Sequence, residues 1–430
     1  MNQKEKLMKG VFFITLGCRL NQAETNMLKN NALERGFRIA QSESTADIFI
    51  INSCSVTDKA QRETNKLLKN LTAKYPEKKA VITGCGAHDE HKKYAFVVSN
   101  EDKNRLFSLL SQQSTKRCLK PFSRHSEQSE ESQRSFVVPP QDDEICGRTR
   151  LMVKVQEGCN NFCAYCIVPY LRGREYSYEP ERIISDLKKA EEDGYNEIVL
   201  CGVNVGKYEY HDVKLAGLIQ EILVRTEIPR IRLSSINPDD FSDDLIDLWV
   251  KNDRLCPHFH ISLQSGSNSV LKRMGRRYNT KQYAELVAKI RKRVPDVQIT
   301  TDVIVGFPGE TEGEFAETVA FVKKIKFLKV HVFRYSPREG TRAADMDGQI
   351  SEKIKKERAV KLQKIESDVR QRTLLNYISK EVEVLFEQEK NGYYSGFTKN
   401  YIKVLKASKK DLTNQITKVT IKALDENLVV

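Results

Sequence analysis

Short apolar runs punctuate an otherwise polar chain, and their spacing gives the first structural information. Val11 to Leu16, Asp47 to Ile51 (DIFII) and Ala80 to Thr83 (AVIT) each read as a buried strand. Between the first two lies NQAETNMLKNNALERG, with Met27, Leu28, Ala32 and Leu33 at helical spacing and Gly36 as a stop. Between the second and third lies KAQRETNKLLKNLTAKYP, closed by Pro76. Strand, helix, strand at intervals of roughly 30 residues is the rhythm of βαβ units and an open parallel sheet.

Residues 120–145 are rich in Ser, Glu, Gln and Pro and show no apolar periodicity, which marks a linker or exposed loop. Strand-like segments then resume at LMVKVQEG, NEIVLCG (196–202), IRLSSI (231–236), FHISLQ (259–264), QITTDVIVGF (298–307) and KVHVFRYS (329–336). Helical segments fall at 180–193, 212–226, 240–251, 280–293 and 311–324. About six βα repeats suffice for a partial or complete barrel of parallel strands. Residues 350–376 read as a long charged amphipathic helix. EVEVLFEQ, NYIKVLKA and ITKVTIKAL alternate with polar turns, the pattern of a small antiparallel barrel. The expected organisation is thus α/β: a sheet domain over 8–119, a linker over 120–144, a barrel over 145–375 and a β-rich tail over 376–430.

Composition narrows the function. A chain of 430 residues, 40% hydrophobic and 30% charged, is globular and long enough for two or three domains. No apolar run approaches the roughly 20 residues needed to cross a bilayer. VFFITLGC at 11–18 is shorter than a secretory h-region and is followed by no processing site, so a cytoplasmic protein is expected. A net charge of +13 attracts a polyanion, most often a nucleic acid. Ten cysteines without an export signal favour reduced thiols and metal ligation over disulfides.

GCNNFCAYC places Cys159, Cys163 and Cys166 in a C-x3-C-x2-C array after an expected strand. Zinc would want a fourth ligand, and the next cysteine is distant, at Cys201. A [4Fe–4S] cluster normally takes four cysteines, so three leave one iron open to another ligand. The array, with Tyr165 just before the last cysteine, resembles the radical-SAM signature, in which the open iron chelates the amino and carboxylate groups of S-adenosylmethionine (SAM). That resemblance assigns Gly202 and Asn204, Ser234 and Ser235, Gln264, Asp302 and Tyr335 to the SAM side of the barrel mouth. Each is equally readable as a strand-end residue capping a turn.

A second triplet, Cys18, Cys54 and Cys85, is defined by position: each follows one of the three N-terminal apolar runs, in ITLGC, FIINSC and VITGC. In a parallel sheet those ends share one edge, where ligands of open α/β sheets bind. Gly17 and Gly84 allow close backbone approach there. The competing reading is three separate buried thiols, which is also the reading for Cys118, Cys146, Cys201 and Cys256.

TLGCRLNQAE, NSCSVTDKA and TGCGA, followed by the radical-SAM array and the β-rich tail, resemble the methylthiotransferase family over nearly the whole chain. The resemblance implies an auxiliary [4Fe–4S] cluster on Cys18, Cys54 and Cys85, and a C-terminal TRAM domain that binds RNA. TLGC followed by R-L-N-Q is similar to the branch acting on threonylcarbamoyl-adenosine in the tRNA anticodon loop; isopentenyl-adenosine or a ribosomal-protein aspartate is the alternative target. It also implies consumption of two SAM per product, an electron donor such as a flavodoxin or ferredoxin, and no membrane partner. In the tail, Lys399, Lys403, Lys406, Lys409 and Lys410, with Tyr393, Tyr394, Phe397 and Tyr401, are RNA-contact candidates, several of the aromatics being equally suited to a core.

Overall fold

The structure is a computed structural model that describes residues 8–54, 58–112, 149–425 and 427–430. The expected linker at 120–144, Cys118 and Cys146 lie outside the described residues. The chain forms two compact units, one holding Met1–Glu144 with Glu179–Ala190, the other Ile145–Tyr178 with Glu191–Val430.

The first unit is a five-stranded parallel sheet in the order β2-β1-β3-β4-β5, where β1 is Gly10–Thr15, β2 Arg38–Ile39, β3 Ile48–Ser53, β4 Lys79–Gly84 and β5 Phe96–Val97. Every residue of β3 is buried, which explains why IFIINS reads as a continuous apolar run rather than an alternating one. Its even side, Ile48 and Ile50, packs with Val11 and Val81 against Leu28 and Ala32 of the helix Arg19–Glu34. Its odd side, Phe49 and Ile51, packs with Ile82 against Leu68 and Leu71 of the helix Asp58–Lys74. With helices on both faces, the edge formed by the strand ends is where ligands of such sheets bind. The register aligns those ends, Thr15 opposite Asn52 and Asn52 opposite Thr83.

The second unit begins as a barrel of parallel strands in two sheets. Arg150–Lys154 (β6), Glu197–Cys201 (β7) and Arg230–Leu233 (β8) form the first, with β7 central. Ser235–Ile236 (β9), His258–Ile261 (β10), Gln298–Val305 (β11) and Lys329–Arg334 (β12) form the second, in chain order. The expected strand at 231–236 is therefore two strands, and Ser234 is the residue at which the chain passes between sheets. Alternation sets the faces of the wall. Phe259 of β10 packs 4.9 Å from the Trp249 ring in the helix Asp243–Lys251, so its neighbours His258 and His260 point the other way, to the inside.

The tail is a curled six-stranded sheet: Glu381–Lys390 (β13), Tyr393–Thr398 (β14), Lys403–Ala407 (β15), Ile416–Thr420 (β16), Ala423–Asp425 (β17) and Asn427–Val429 (β18). All pairings are antiparallel except β15 with β18, a form consistent with a TRAM-like barrel. A register shift between Phe386 and Gln388 bends β13, the longest strand.

Buried charge joins this tail to the barrel, at the end where the barrel strands begin. Arg232 grips Glu197 through two hydrogen bonds, Nε to Oε1 at 2.7 Å and Nη2 to Oε2 at 3.1 Å, and its Nη1 donates to Lys399 O at 3.0 Å. Arg230 donates to Phe397 O and to Glu383 Oε1, both at 3.0 Å. The Tyr401 ring stacks on His258 with centroids 4.5 Å apart, and the Arg232 guanidinium lies 4.8 Å over it. Arg150 lies 4.8 Å over Phe397. These contacts correct part of the RNA expectation: Phe397 and Tyr401 form the barrel floor, and Tyr394 lies in the tail's core. The reason is the unanticipated strand β14, whose alternation turns Tyr394 inward and leaves Tyr393 exposed. Lys403, Lys409 and Lys410 remain exposed. Among the described residues, no helix is long and apolar enough to cross a membrane.

Candidate active site

The cysteine loop after β6 is pinned on all sides. Gly158 has φ +72°, and a Cβ there would overlap the Arg174 carbonyl, so only glycine fits before Cys159. Cys159 N donates to Gly173 O at 3.2 Å, and Cys166 N to Cys163 O at 3.0 Å, closing the C-x2-C turn. Ala164 donates to Met274 O and accepts from Ala343 N, each at 2.8 Å. All three thiols are free and partly exposed by residue. Burial pushes the Cys166 thiol up to about 12, with the nearby Cys163 and Cys159 adding to the rise. Burial likewise raises Cys159. Such thiols give up their protons to a cation that replaces them, so this donor set fits a metal cluster.

A polar chain leads away from the cysteines. Arg276 donates through Nη1 to Cys163 Sγ at 3.3 Å and through Nη2 to Asn237 Oδ1 at 2.5 Å. Asn237 Nδ2 donates to Asn204 Oδ1 at 2.9 Å, and Asn204 N to Gln156 Oε1 at 2.8 Å. Arg276, Asn237 and Gln156 carry no local sequence mark of this role. Arg276 lies 113 positions from Cys163, and no local spacing announces it.

The expected SAM residues are distributed unevenly. Gly202 follows β7, and a Cβ there would come 2.8 Å from Gln156 Oε1. Asn204 Nδ2 and Ser234 Oγ are buried without a hydrogen-bond partner among the described residues. Leaving such groups unpaired costs about 1–3 kcal/mol each, so both suit a polar ligand such as SAM. Ser235 is exposed at the start of β9. Gln264 has φ +69°, and its backbone brackets β11 by donating to Asp302 O and accepting from Ile304 N. Tyr335, 3% exposed, packs with Ala164, Met274 and Phe307 as a wall behind the cysteine loop. Asp302 stands in the middle of β11, on its inner face, rather than at its end.

In the first unit, the second triplet lies at the edge formed by the ends of β1, β3 and β4. Cys54 and Cys85 directly follow β3 and β4 and are buried; exposed Cys18 precedes the helix Arg19–Glu34. Gly17 has φ +122°, and a Cβ on it would lie 2.6 Å from Cys54 Cβ; one on Gly86 would lie 2.9 Å from the Cys54 carbonyl. The loops carrying Cys18 and Cys85 therefore both close on Cys54, a cradle suited to a bulky group held by three thiolates. Asn21 ties two of them together, donating to Leu16 O at 2.9 Å and Ser53 O at 3.1 Å. Cys201 and Cys256 are buried separately in the barrel.

Residues 10–104 match the model of the Uncharacterized protein family UPF0004, and residues 153–322 that of the Radical SAM superfamily. The chain is 35% identical to a Bacillus subtilis protein named Threonylcarbamoyladenosine tRNA methylthiotransferase MtaB, over 96% of this chain and 94% of that one. A Thermotoga maritima protein of the same name is 36% identical, over 92% and 91%. A tRNA-2-methylthio-N(6)-dimethylallyladenosine synthase of Endomicrobium trichonymphae is 34% identical, over 95% and 96%. Among solved structures, the radical S-adenosylmethionine methyltransferase TsrM of Kitasatospora setae shares the fold with a TM-score of 0.56 at 14% identity, covering 79% of this chain and 77% of that one. With relatives this similar along almost its entire length, the chain belongs to the methylthiotransferase family of radical-SAM enzymes.

Proposed function

We propose that this enzyme adds a methylthio group to C2 of N6-threonylcarbamoyladenosine at position 37 of tRNA. The observation that carries the reading is the pair of cysteine triplets, in a chain whose relatives named for this reaction match over more than nine-tenths of its length. Adenine C2–H is unactivated, and a cluster with SAM supplies the one-electron chemistry that acid–base groups cannot. Cys159, Cys163 and Cys166 would hold the SAM-binding [4Fe–4S] cluster, and Cys18, Cys54 and Cys85 would hold an auxiliary one that would supply the sulfur chemistry.

Asn204 and Ser234 bring unpartnered buried polar groups to SAM, and Gly202 leaves room for the Gln156 side chain that positions Asn204. Tyr335 backs the cysteine loop against water. Two SAM are consumed per product, one for the methyl group and one for hydrogen abstraction. The anticodon stem-loop is drawn by a net charge of +13, with Tyr393, Lys403, Lys406, Lys409 and Lys410 on the tail as contacts. A flavodoxin- or ferredoxin-class protein delivers the electrons, in the cytoplasm where tRNA is modified. The test is mass spectrometry of tRNA nucleosides from cells lacking the protein. Loss of 2-methylthio-threonylcarbamoyladenosine alone supports the assignment, and its persistence refutes it; loss of the isopentenyl counterpart transfers the assignment to that substrate.

A further inference from the structure

The inside of the barrel is layered. At its floor, His258 stacks on Tyr401. Toward the strand ends, Ile304 packs against the apolar cluster that contains Ala164 of the cysteine loop. Between these levels three titratable side chains meet: His260 of β10, Asp302 of β11 and His331 of β12, with potential ligand atoms all within 4.8 Å of one another. Register puts them there. Asp302 pairs with His331 across the strands and lies two residues from Ile304 on the same face, roughly 7 Å deeper. The level also opens progressively, from buried His260 through half-buried Asp302 to exposed His331.

The arrangement is oriented as well as polar. Thr300 Oγ1 lies 3.0 Å from His260 Nδ1 and 2.9 Å from His258 Nε2, fixing the His260 ring. His260 Nε2 is then turned toward Asp302 Oδ2 at 3.2 Å, but too poorly aligned for a hydrogen bond, and it is buried without one. The His331 ring leans on His260 with centroids 5.7 Å apart. A buried imidazole nitrogen beside a carboxylate, opening on an exposed imidazole, awaits a ligand with both donors and acceptors.

We propose that His260, Asp302 and His331 form the subsite for the N6 substituent of the target adenosine, and that this subsite selects an amino-acid-bearing ureido group over a hydrocarbon chain. The inference rests on the tRNA reading above and deepens it. Hydroxyl and ureido N–H groups donate to Asp302, imidazole N–H groups donate to the carbonyl, and the substituent's carboxylate sits at the exposed His331 end, away from Asp302. An isopentenyl chain makes none of these bonds and leaves His260 Nε2 buried without one, which is how a polar site rejects an apolar analogue.

The test uses the reconstituted full-length enzyme on three anticodon stem-loops carrying threonylcarbamoyladenosine, isopentenyladenosine or plain adenosine at position 37. The readout is the ratio of kcat/KM values between substrates, so any general loss of activity cancels, and a thermal midpoint controls for folding. His331→Phe and Asp302→Asn are expected to lower the preference for the threonylcarbamoyl substrate about 10- to 100-fold, with His331→Gln, which keeps a donor, closer to native. Unchanged ratios in both variants overturn the inference. So does an extra stoichiometric metal ion in the native enzyme that His331→Phe removes, since the three side chains would then be metal ligands. A native enzyme inactive on the threonylcarbamoyl stem-loop refutes the proposed function itself, a result distinct from native activity with unchanged variant ratios.

Discussion

Arg276 donates a hydrogen bond from Nη1 to Cys163 Sγ at 3.3 Å, and the same guanidinium is held from behind by Asn237 Oδ1 at 2.5 Å. Arginine remains charged at any working pH, so a fixed positive charge sits against one sulfur of the cysteine array. Charge and hydrogen bonds at the sulfurs set cluster potentials. Arg276→Gln is expected to lower the midpoint potential of the SAM-side cluster by on the order of tens of millivolts. An EPR-monitored redox titration checks this, and an unchanged potential would mean that the contact does not survive cluster binding.

The auxiliary triplet depends on close backbone approach. Gly17→Ala forces a Cβ to within 2.6 Å of Cys54 Cβ at a φ of +122° that side chains rarely adopt. The expected outcome is loss of one cluster: roughly four irons per chain instead of eight, the count expected for Cys54→Ala as well. Iron analysis of the anaerobically reconstituted proteins decides it. A full iron complement in Gly17→Ala would show that the loop relaxes at little cost.

Beneath the barrel, Glu197 and Arg232 are both fully buried and doubly hydrogen-bonded. Burial alone would raise the Glu197 carboxyl, but the guanidiniums of Arg232, Arg150 and Arg230 outweigh it and hold the group below its ordinary value near 4.5. A depressed carboxyl contributes stability above its unfolded pKa and loses it as pH falls through the folded one. The thermal midpoint should therefore drop as pH falls below about 4.5. Glu197→Gln, which leaves the buried Arg232 guanidinium without its counter-charge, should cost about 3–5 kcal/mol at neutral pH and remove that part of the acid sensitivity. Calorimetry across pH tests both.

The aromatic residues of the tail separate into two kinds. Tyr401→Ala should lower the thermal midpoint while leaving the salt dependence of stem-loop binding as it was, because its ring lies under the barrel between His258 and Arg232. Lys403→Gln, Lys409→Gln and Lys410→Gln should each reduce the slope of log affinity against log salt by about 1 where the lysine contacts a phosphate. Filter binding over a range of salt measures the slopes; a flat dependence in the native enzyme would remove phosphate contacts from the account.

The sequence by itself determined what depends on short-range order. The C-x3-C-x2-C array is legible because its three thiols occupy a single loop, and the strand–helix rhythm because burial imposes periods of about 2 and 3.6 residues. The shared edge of Cys18, Cys54 and Cys85 is legible too, since parallel strands run toward one edge, and β1, β3 and β4 pair in register. Tertiary structure alone decided the rest. Arg276 meets Cys163, Arg232 meets Glu197, and His331 meets Asp302 only after strands and helices distant in sequence have packed, and a lone arginine or histidine carries no periodic mark of its eventual neighbour. The aromatics of the tail show the same limit: β14 has too little apolar character to declare itself a strand, so which of Tyr393 and Tyr394 faces water was fixed by its pairing with β13 and β15.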